Sequence, residues 1–282
     1  MHFYWIPELK LSVMWSPKCA CTSVVEYVSH YNFHNCSKYS EQKRRLLADT
    51  GFNLNINNLK DLINKGECQH LAVSTRDPIK RITSAFLNKF LYRYGKPVYP
   101  NAIAAATPWP AEFVKQCAVH TYSDIPPAIC QSGNIDICLA RVITFLSSNS
   151  TNLAKVNSHF RPQIINKNQL NFIKEISKKV STYWIRTEKF SSDLEFLNNQ
   201  LSVPAYVPDR ANESSLPKGW TTSEKAEDTY KQISELTKMK LSITSKSTEQ
   251  LIESNNLPFK EKWDFDYKLL SFLKKNAIYS DL

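Results

Sequence analysis

The sequence predicts an α/β fold whose core is a parallel β-sheet flanked by helices. Two observations carry this: two strand-loop-helix units follow one another, and each places charged or hydroxyl-bearing residues at the turn after its strand. A third is size. At 282 residues and 42% apolar content the chain has material for a sizeable core. Leu9 to Trp15 has β-favouring character and stops at Ser16-Pro17-Lys18-Cys19-Ala20-Cys21-Thr22-Ser23. From Thr22, Val24, Val25 and Val28 with Tyr27 and Tyr31 recur at helical spacing. The second unit begins with a strand from Gln69 to Thr75, followed by Arg76-Asp77-Pro78. There Asp77 suits an N-cap and Pro78 a first helical turn, and Ile79, Ile82, Ala85, Phe86 and Phe90 form the apolar stripe. A parallel sheet built from such units places function at the C-terminal ends of its strands.

Residues 95–110 carry four prolines and read as an irregular excursion. The Ala-rich stretch from Asn101 to Thr107 is too short and too proline-bounded for a membrane hairpin and reads as a lid or acceptor loop. Residues 111–119 and 134–147 are expected to be helical, the latter through Ile135, Leu139, Val142, Ile143 and Leu146. Thr182 to Arg186 is a third strand with a helix over 189–201, residues 202–222 form a surface loop, and 224–239 and 260–275 are polar-faced helices.

Lys and Arg total 36 against 26 Asp and Glu, a surplus of ten positive charges that suits an anionic partner. The basic residues are dispersed, Lys43-Arg44-Arg45 being the only basic triplet, so a nucleic-acid-binding arm is not indicated. There are 5 glycines, where average usage gives roughly 20. That scarcity removes the GxxxxGK[ST] and GxGxxG cradles, so any phosphate site must be built another way. Seven cysteines, an odd number without framework spacing, suit free thiols in a reducing compartment. No apolar run reaches the roughly 18 residues of a membrane span.

Pro17 to Ser23 carries the most chemistry. A strand-to-helix loop that offers an ammonium, two hydroxyls and several backbone N–H groups, with small side chains between, can wrap an anionic oxygen cluster. Cys19, Ala20 and Cys21 take the place of glycine in keeping that loop slim. The same residues also fit an ordinary turn with an exposed lysine. Cys19-x-Cys21 with His30, His34 and Cys36 has the look of a metal site, but it lacks CxxC or HExxH context, and the helix carries the histidines away from the loop, so no metal is expected.

In motif order, Pro-Lys-x-Ala-x-Thr-Ser, then Arg-Asp-Pro-x-x-Arg-x-x-Ser-Ala-x-x-Asn-Lys-Phe, then His159-Phe160-Arg161-Pro162-Gln163, the chain resembles the carbohydrate sulfotransferases of the chondroitin, dermatan and HNK-1 type and their bacterial relatives. Phe160 stands where that family usually has Trp. Fainter echoes lie in Tyr183 to Glu188, in Asn212-Glu213-Ser214 and in Trp263-Asp264-Phe265-Asp266-Tyr267. The resemblance implies a P-loop-kinase-like three-layer fold in one domain over residues 1–282, with an insert or lid around 95–130 and a helical region at 222–282. It also implies the donor 3′-phosphoadenosine 5′-phosphosulfate (PAPS), no metal, and a glycan hydroxyl as acceptor. Carried over, Lys18, Thr22 and Ser23 with the amides around Cys19, Ala20 and Cys21 would hold the 5′-phosphosulfate, and Arg76 and Ser84 the 3′-phosphate. His159 is the first choice for the base that activates the acceptor, and Arg161 and Gln163 for acceptor binding, Arg161 suiting an acidic sugar; His159 and Gln163 equally fit a structural role, pinning their loop by hydrogen bonds.

Animal members carry an N-terminal anchor and stem. The chain begins almost at its first strand, which fits a bacterial cytoplasmic enzyme or the excised lumenal domain of a Golgi enzyme. Two other readings stay open: a nucleotide kinase or NTPase of the same fold, and a catalytically silent protein that binds anionic glycans.

Overall fold

The computed structural model describes residues 1–33, 40–86, 92–93, 96–97, 142–144, 146–147, 153, 160–208, 245–254 and 258–280. The chain divides into two compact units. One comprises Met1–Asp77, Gln163–Glu213 and Phe265–Leu282, the other Pro78–Pro162 and Ser214–Asp264.

The first unit is built on a five-stranded sheet. Strands β1 (His2–Ile6) and β2 (Leu11–Trp15) form an antiparallel hairpin joined by a single 3-10 turn, Pro7–Leu9. Lys10 closes that turn at φ 46° with its N–H donating to the Pro7 carbonyl. After β3 (Asn53–Leu54), β4 (His70–Thr75) follows, then the short antiparallel pair β5 (Tyr92–Arg93) and β6 (Lys96–Pro97) of the second unit, and β7 (Ser181–Arg186). The sheet order is β3-β1-β2-β4-β7. β2, β4 and β7 are parallel, whereas β1 and β3 add an antiparallel edge that the sequence reading does not contain. The five residues of β2 and all but the first of β1 are buried, which removes the polar-apolar alternation by which an exposed strand announces itself.

Helices cover both faces of this sheet. Phe3, Trp5, Met14, Leu71 and Val73 point to one face and meet α3 (Ile56–Asn64), a helix over Lys167–Ile176 and one over Asp264–Asn276, the last through Leu269 and Leu273. Tyr4, Ile6, Leu11, Val13, Ala72 and Ile185 point to the other face and meet α1 (Cys21–Phe33), Leu47 of α2 (Ser40–Asp49) and the helix over Phe190–Gln200. This is the period-2 division of a strand's side chains between two layers. Asn55 and Asn166 cap their helices by accepting the amides of Asn58 and Gln169 at 2.9 and 3.0 Å.

The far edge of the sheet is held by the first turn of the helix over Phe190–Gln200 and by the segment after the C-terminal helix. Asp193, 1% exposed, accepts the Arg186 backbone N–H at 2.7 Å and its guanidinium at 3.0 and 2.5 Å, and Arg186 also donates to the Ser280 carbonyl at 2.5 Å. Ile278 continues the edge as a parallel bridge to Tyr183. Asp193→Ala leaves the guanidinium and an amide without their acceptor. We expect it to cost about 3 kcal/mol and lower Tm by roughly 5–10 °C in a thermal melt.

The second unit contains α4 (Pro78–Phe86), a helix over Ser245–Ser254 and a short one over Phe259–Lys262. Thr83 and Thr248 share a hydrogen bond at 2.8 Å, Phe259 stacks on Trp263 at 4.2 Å, and Arg81 is wholly buried. The helix expected over 260–275 is thus two helices that meet at Trp263. The expected helices over 111–119 and 224–239 and nearly all of the 95–130 insert lie outside the described residues.

Candidate active site

The turn after β2 takes the conformation that its missing glycines would have made easy. Lys18 and Ala20 are left-handed at φ 67° and 53°, with Cys19 between them. Alternation of this kind aims successive backbone N–H groups inward as an anion-binding nest. The turn feeds α1 directly, so the amides of Cys21, Thr22 and Ser23 belong to a first helical turn, where no intrahelical carbonyl is in reach. The Val24 amide, the first past them, closes on the Ala20 carbonyl at 2.8 Å. Cys19 is fully buried: its amide donates to the Ser16 carbonyl at 3.1 Å, and its thiol lies 3.2 Å from the Ser16 hydroxyl. Lys18, Ala20, Cys21 and Thr22 are half-buried and Ser23 is buried.

A left-handed non-glycine residue costs roughly 1–2 kcal/mol. We therefore expect Ala20→Gly to stabilise the protein by about 1 kcal/mol and raise Tm by about 2–4 °C. A fall in Tm would show that the turn is not held left-handed.

The turn is braced from β4. Ser74, buried near the end of β4, donates to the Cys19 carbonyl at 2.8 Å. Arg76, just past the strand end, donates through Nη1 to the Lys18 carbonyl at 3.4 Å and pairs through Nε with Glu188 at 3.5 Å. Glu188 follows β7, where Thr187 Oγ1 donates to the Thr75 carbonyl at 2.8 Å and Trp184 Nε1 to Thr75 Oγ1 at 2.6 Å. The ends of β2, β4 and β7 thus form one tied edge that carries Lys18, Thr22, Arg76 and Glu188.

Gln163 is 3% exposed, and its amide bonds the Arg76 backbone N–H at 3.0 Å and the Ser74 carbonyl at 3.5 Å. Ser84 lies on α4 and Arg161 beside buried Phe160, both half-buried in the second unit. His159 lies outside the described residues. Among the described histidines, His30 is about 14 Å along α1 from Cys21 and stacks on Tyr206 at 3.7 Å. His70 begins β4 at the opposite edge, and burial lowers its pKa. His2 stands across from Trp15 and stacks on its indole at 4.7 Å, with its pKa lowered by burial, then by the N-terminal charge and Arg44. Arg44 lies 5.5 Å over the same indole and 3.4 Å from the Cys21 sulfur, so Cys21 and His30, two members of the metal-like pattern, have other neighbours. The pattern's His34 and Cys36 lie outside the described residues.

The sequence reading gave Ser74 no role and named Glu188 only within the faint echo Tyr183 to Glu188. The readable signal was a hydroxyl inside the buried run His70-Leu71-Ala72-Val73-Ser74. The pairing of Glu188 with Arg76 runs across the fold, where no local spacing reveals it.

A left-handed, glycine-free turn that feeds a helix N-terminus, carrying Lys18 and flanked by Arg76, lies at the C-terminal edge of the parallel strands of this α/β protein. The sulfotransferase family model matches residues 1–242, and the chain belongs to that family. The reaction class that membership brings is sulfuryl transfer. No curated protein and no solved structure matches the chain. Among the described residues, no helix is long and apolar enough to cross a membrane.

Proposed function

We propose that the protein transfers the sulfuryl group of PAPS to a hydroxyl of a carbohydrate acceptor, on a P-loop-kinase-like scaffold. The observation that carries this reading is the bond from the Arg76 guanidinium to the Lys18 carbonyl. It joins the residues of two separate motifs on one strand edge, as a donor with phosphates at both its 5′ and 3′ positions requires. The nest at 18–23 suits the 5′-phosphosulfate, and Arg76 the 3′-phosphate; Ser84 is assigned to the 3′-phosphate from the motif resemblance alone. The Arg76 guanidinium, tied at Nη1 to the Lys18 carbonyl and at Nε to Glu188, brings to that edge the positive charge and donor type that suit a phosphate.

The reaction asks little else of the protein. The acceptor oxygen attacks sulfur in line, the bond from sulfur to the bridging phosphate oxygen breaks, and 3′,5′-ADP leaves with that electron pair. Negative charge grows on the bridging oxygen, and the Lys18 ammonium stabilises it more in the transition state than before it. The acceptor proton goes to a base, for which His159 is our assignment, and Arg161 grips an anionic group of the sugar. The odd number of cysteines favours the cytoplasm as the compartment.

Incubation with labelled PAPS and a panel of glycans tests the reading. We expect label in a glycan hydroxyl and release of 3′,5′-ADP. Binding of the glycans with no transfer to any of them would favour a silent glycan-binding protein instead.

A further inference from the structure

The donor edge is held from behind by a path of hydrogen bonds that reaches the C-terminal helix. Asp266, in the first turn of the helix over Asp264–Asn276, is 2% exposed. Its carboxylate accepts the backbone N–H of Gln163 at 3.0 Å and of Ile164 at 2.8 Å. Two charge-assisted bonds from adjacent amides fix the direction of that stretch of chain, and with it the root of the Gln163 side chain. The Gln163 amide then meets the carbonyl of Ser74 and the amide of Arg76. These are the groups two residues apart on one strand edge to which a neighbouring parallel strand would bond. Gln163 thus extends the ladder by one position where β2 has already turned away into the nest. From there Ser74 reaches the Cys19 carbonyl and Arg76 the Lys18 carbonyl. A glutamine side chain loses substantial rotamer freedom when held at both ends, so the link needs a fixed backbone beneath it.

We infer that Asp266 is a positioning residue for the donor site: it holds Gln163 so that the Gln163 amide sets Arg76 and the nest in register for the two phosphates. The inference rests on the donor reading above for its effect on binding, but not for the path itself. Asp266 lies beyond residue 242, where the family match ends.

Two measurements test it on the full chain. In unliganded protein, Asp266→Ala should lower hydrogen-exchange protection of the Arg76 amide by tenfold or more, and unchanged protection overturns the path whatever the ligand. By calorimetric titration, Asp266→Ala and Gln163→Ala should each weaken 3′,5′-ADP binding by about 10-fold, and the double variant by no more than the weaker-binding single, because one acts through the other. An additive loss of about 100-fold overturns the coupling. A merely structural role would lower Tm and the active fraction with no change in Kd. Should Asp266→Ala fail to fold, Asp266→Asn, which keeps one acceptor oxygen, should show an intermediate loss of both protection and affinity, and wild-type values for both would overturn the role. Failure of the wild type to bind 3′,5′-ADP overturns the donor assignment, and the Arg76 protection still decides the path.

Discussion

Replacing Lys18 by alanine is expected to lower the rate of sulfuryl transfer at saturating donor by about 10²–10³-fold, the typical effect of deleting one donor aimed at developing charge. Tm should stay within a few degrees of the wild type. The separation follows from how the residue is built into the turn. Its main-chain carbonyl, which takes the Arg76 bond, survives the substitution, and alanine meets the same left-handed backbone at φ 67° that lysine does. What is lost is the ammonium and the half-buried alkyl stem that carries it. Lys18→Arg should restore little, because a planar guanidinium on a stiffer head does not place its charge where an ammonium does. Stopped-time assays with labelled PAPS check this, and a rate within threefold of the wild type would remove Lys18 from the chemistry.

Arg76→Ala is expected to weaken 3′,5′-ADP binding by roughly 100-fold, in line with a charged hydrogen bond to phosphate, while binding of 5′-AMP, which lacks the 3′-phosphate and feels only the lost brace on the Lys18 carbonyl, weakens by about tenfold or less. The stability cost should be modest, about 1–2 kcal/mol, from the lost bond to the Lys18 carbonyl and the lost Glu188 pair. The Glu188 pair is partly exposed, its side chains being 24% and 34% accessible, and pairs of that kind contribute about 1 kcal/mol or less. The Arg76 backbone N–H keeps its Gln163 acceptor in the variant. Calorimetric titration with both nucleotides checks the prediction, and an equal loss for the two would mean that Arg76 does not read the 3′-phosphate.

The local chemistry of the site was legible in the sequence. Pro17 to Ser23 announced a strand-to-helix turn able to hold an anion, and the glycine deficit said that small side chains must do what glycine does elsewhere. The structure adds the cost of that arrangement in the left-handed Lys18 and Ala20. The three parallel strands were also readable, each to within two residues at its start, because each ends at an abrupt change of residue type. β1 was not, since four of its five residues are buried and it shows no alternation. α3 and the helix over Lys167–Ile176 were missed although Leu59 with Ile63 and Phe172 with Ile176 show the i, i+4 spacing. The bracing of the site was out of reach in principle. Ser74 and Cys19 are 55 residues apart, Gln163 and Arg76 are 87, and Asp266 and Gln163 are 103. Pairings at such separations are set by topology, on which residue periodicity carries no information.

The central claim is that the edge formed by the nest and Arg76 was shaped for a nucleotide with phosphates at both its 5′ and 3′ positions. Competitive titration of the wild-type protein with 3′,5′-ADP and with ATP measures this directly. The account predicts that 3′,5′-ADP binds at least tenfold more tightly and that magnesium does not alter the order. Preference for ATP, with or without magnesium, would contradict it and point to a nucleotide kinase or NTPase instead.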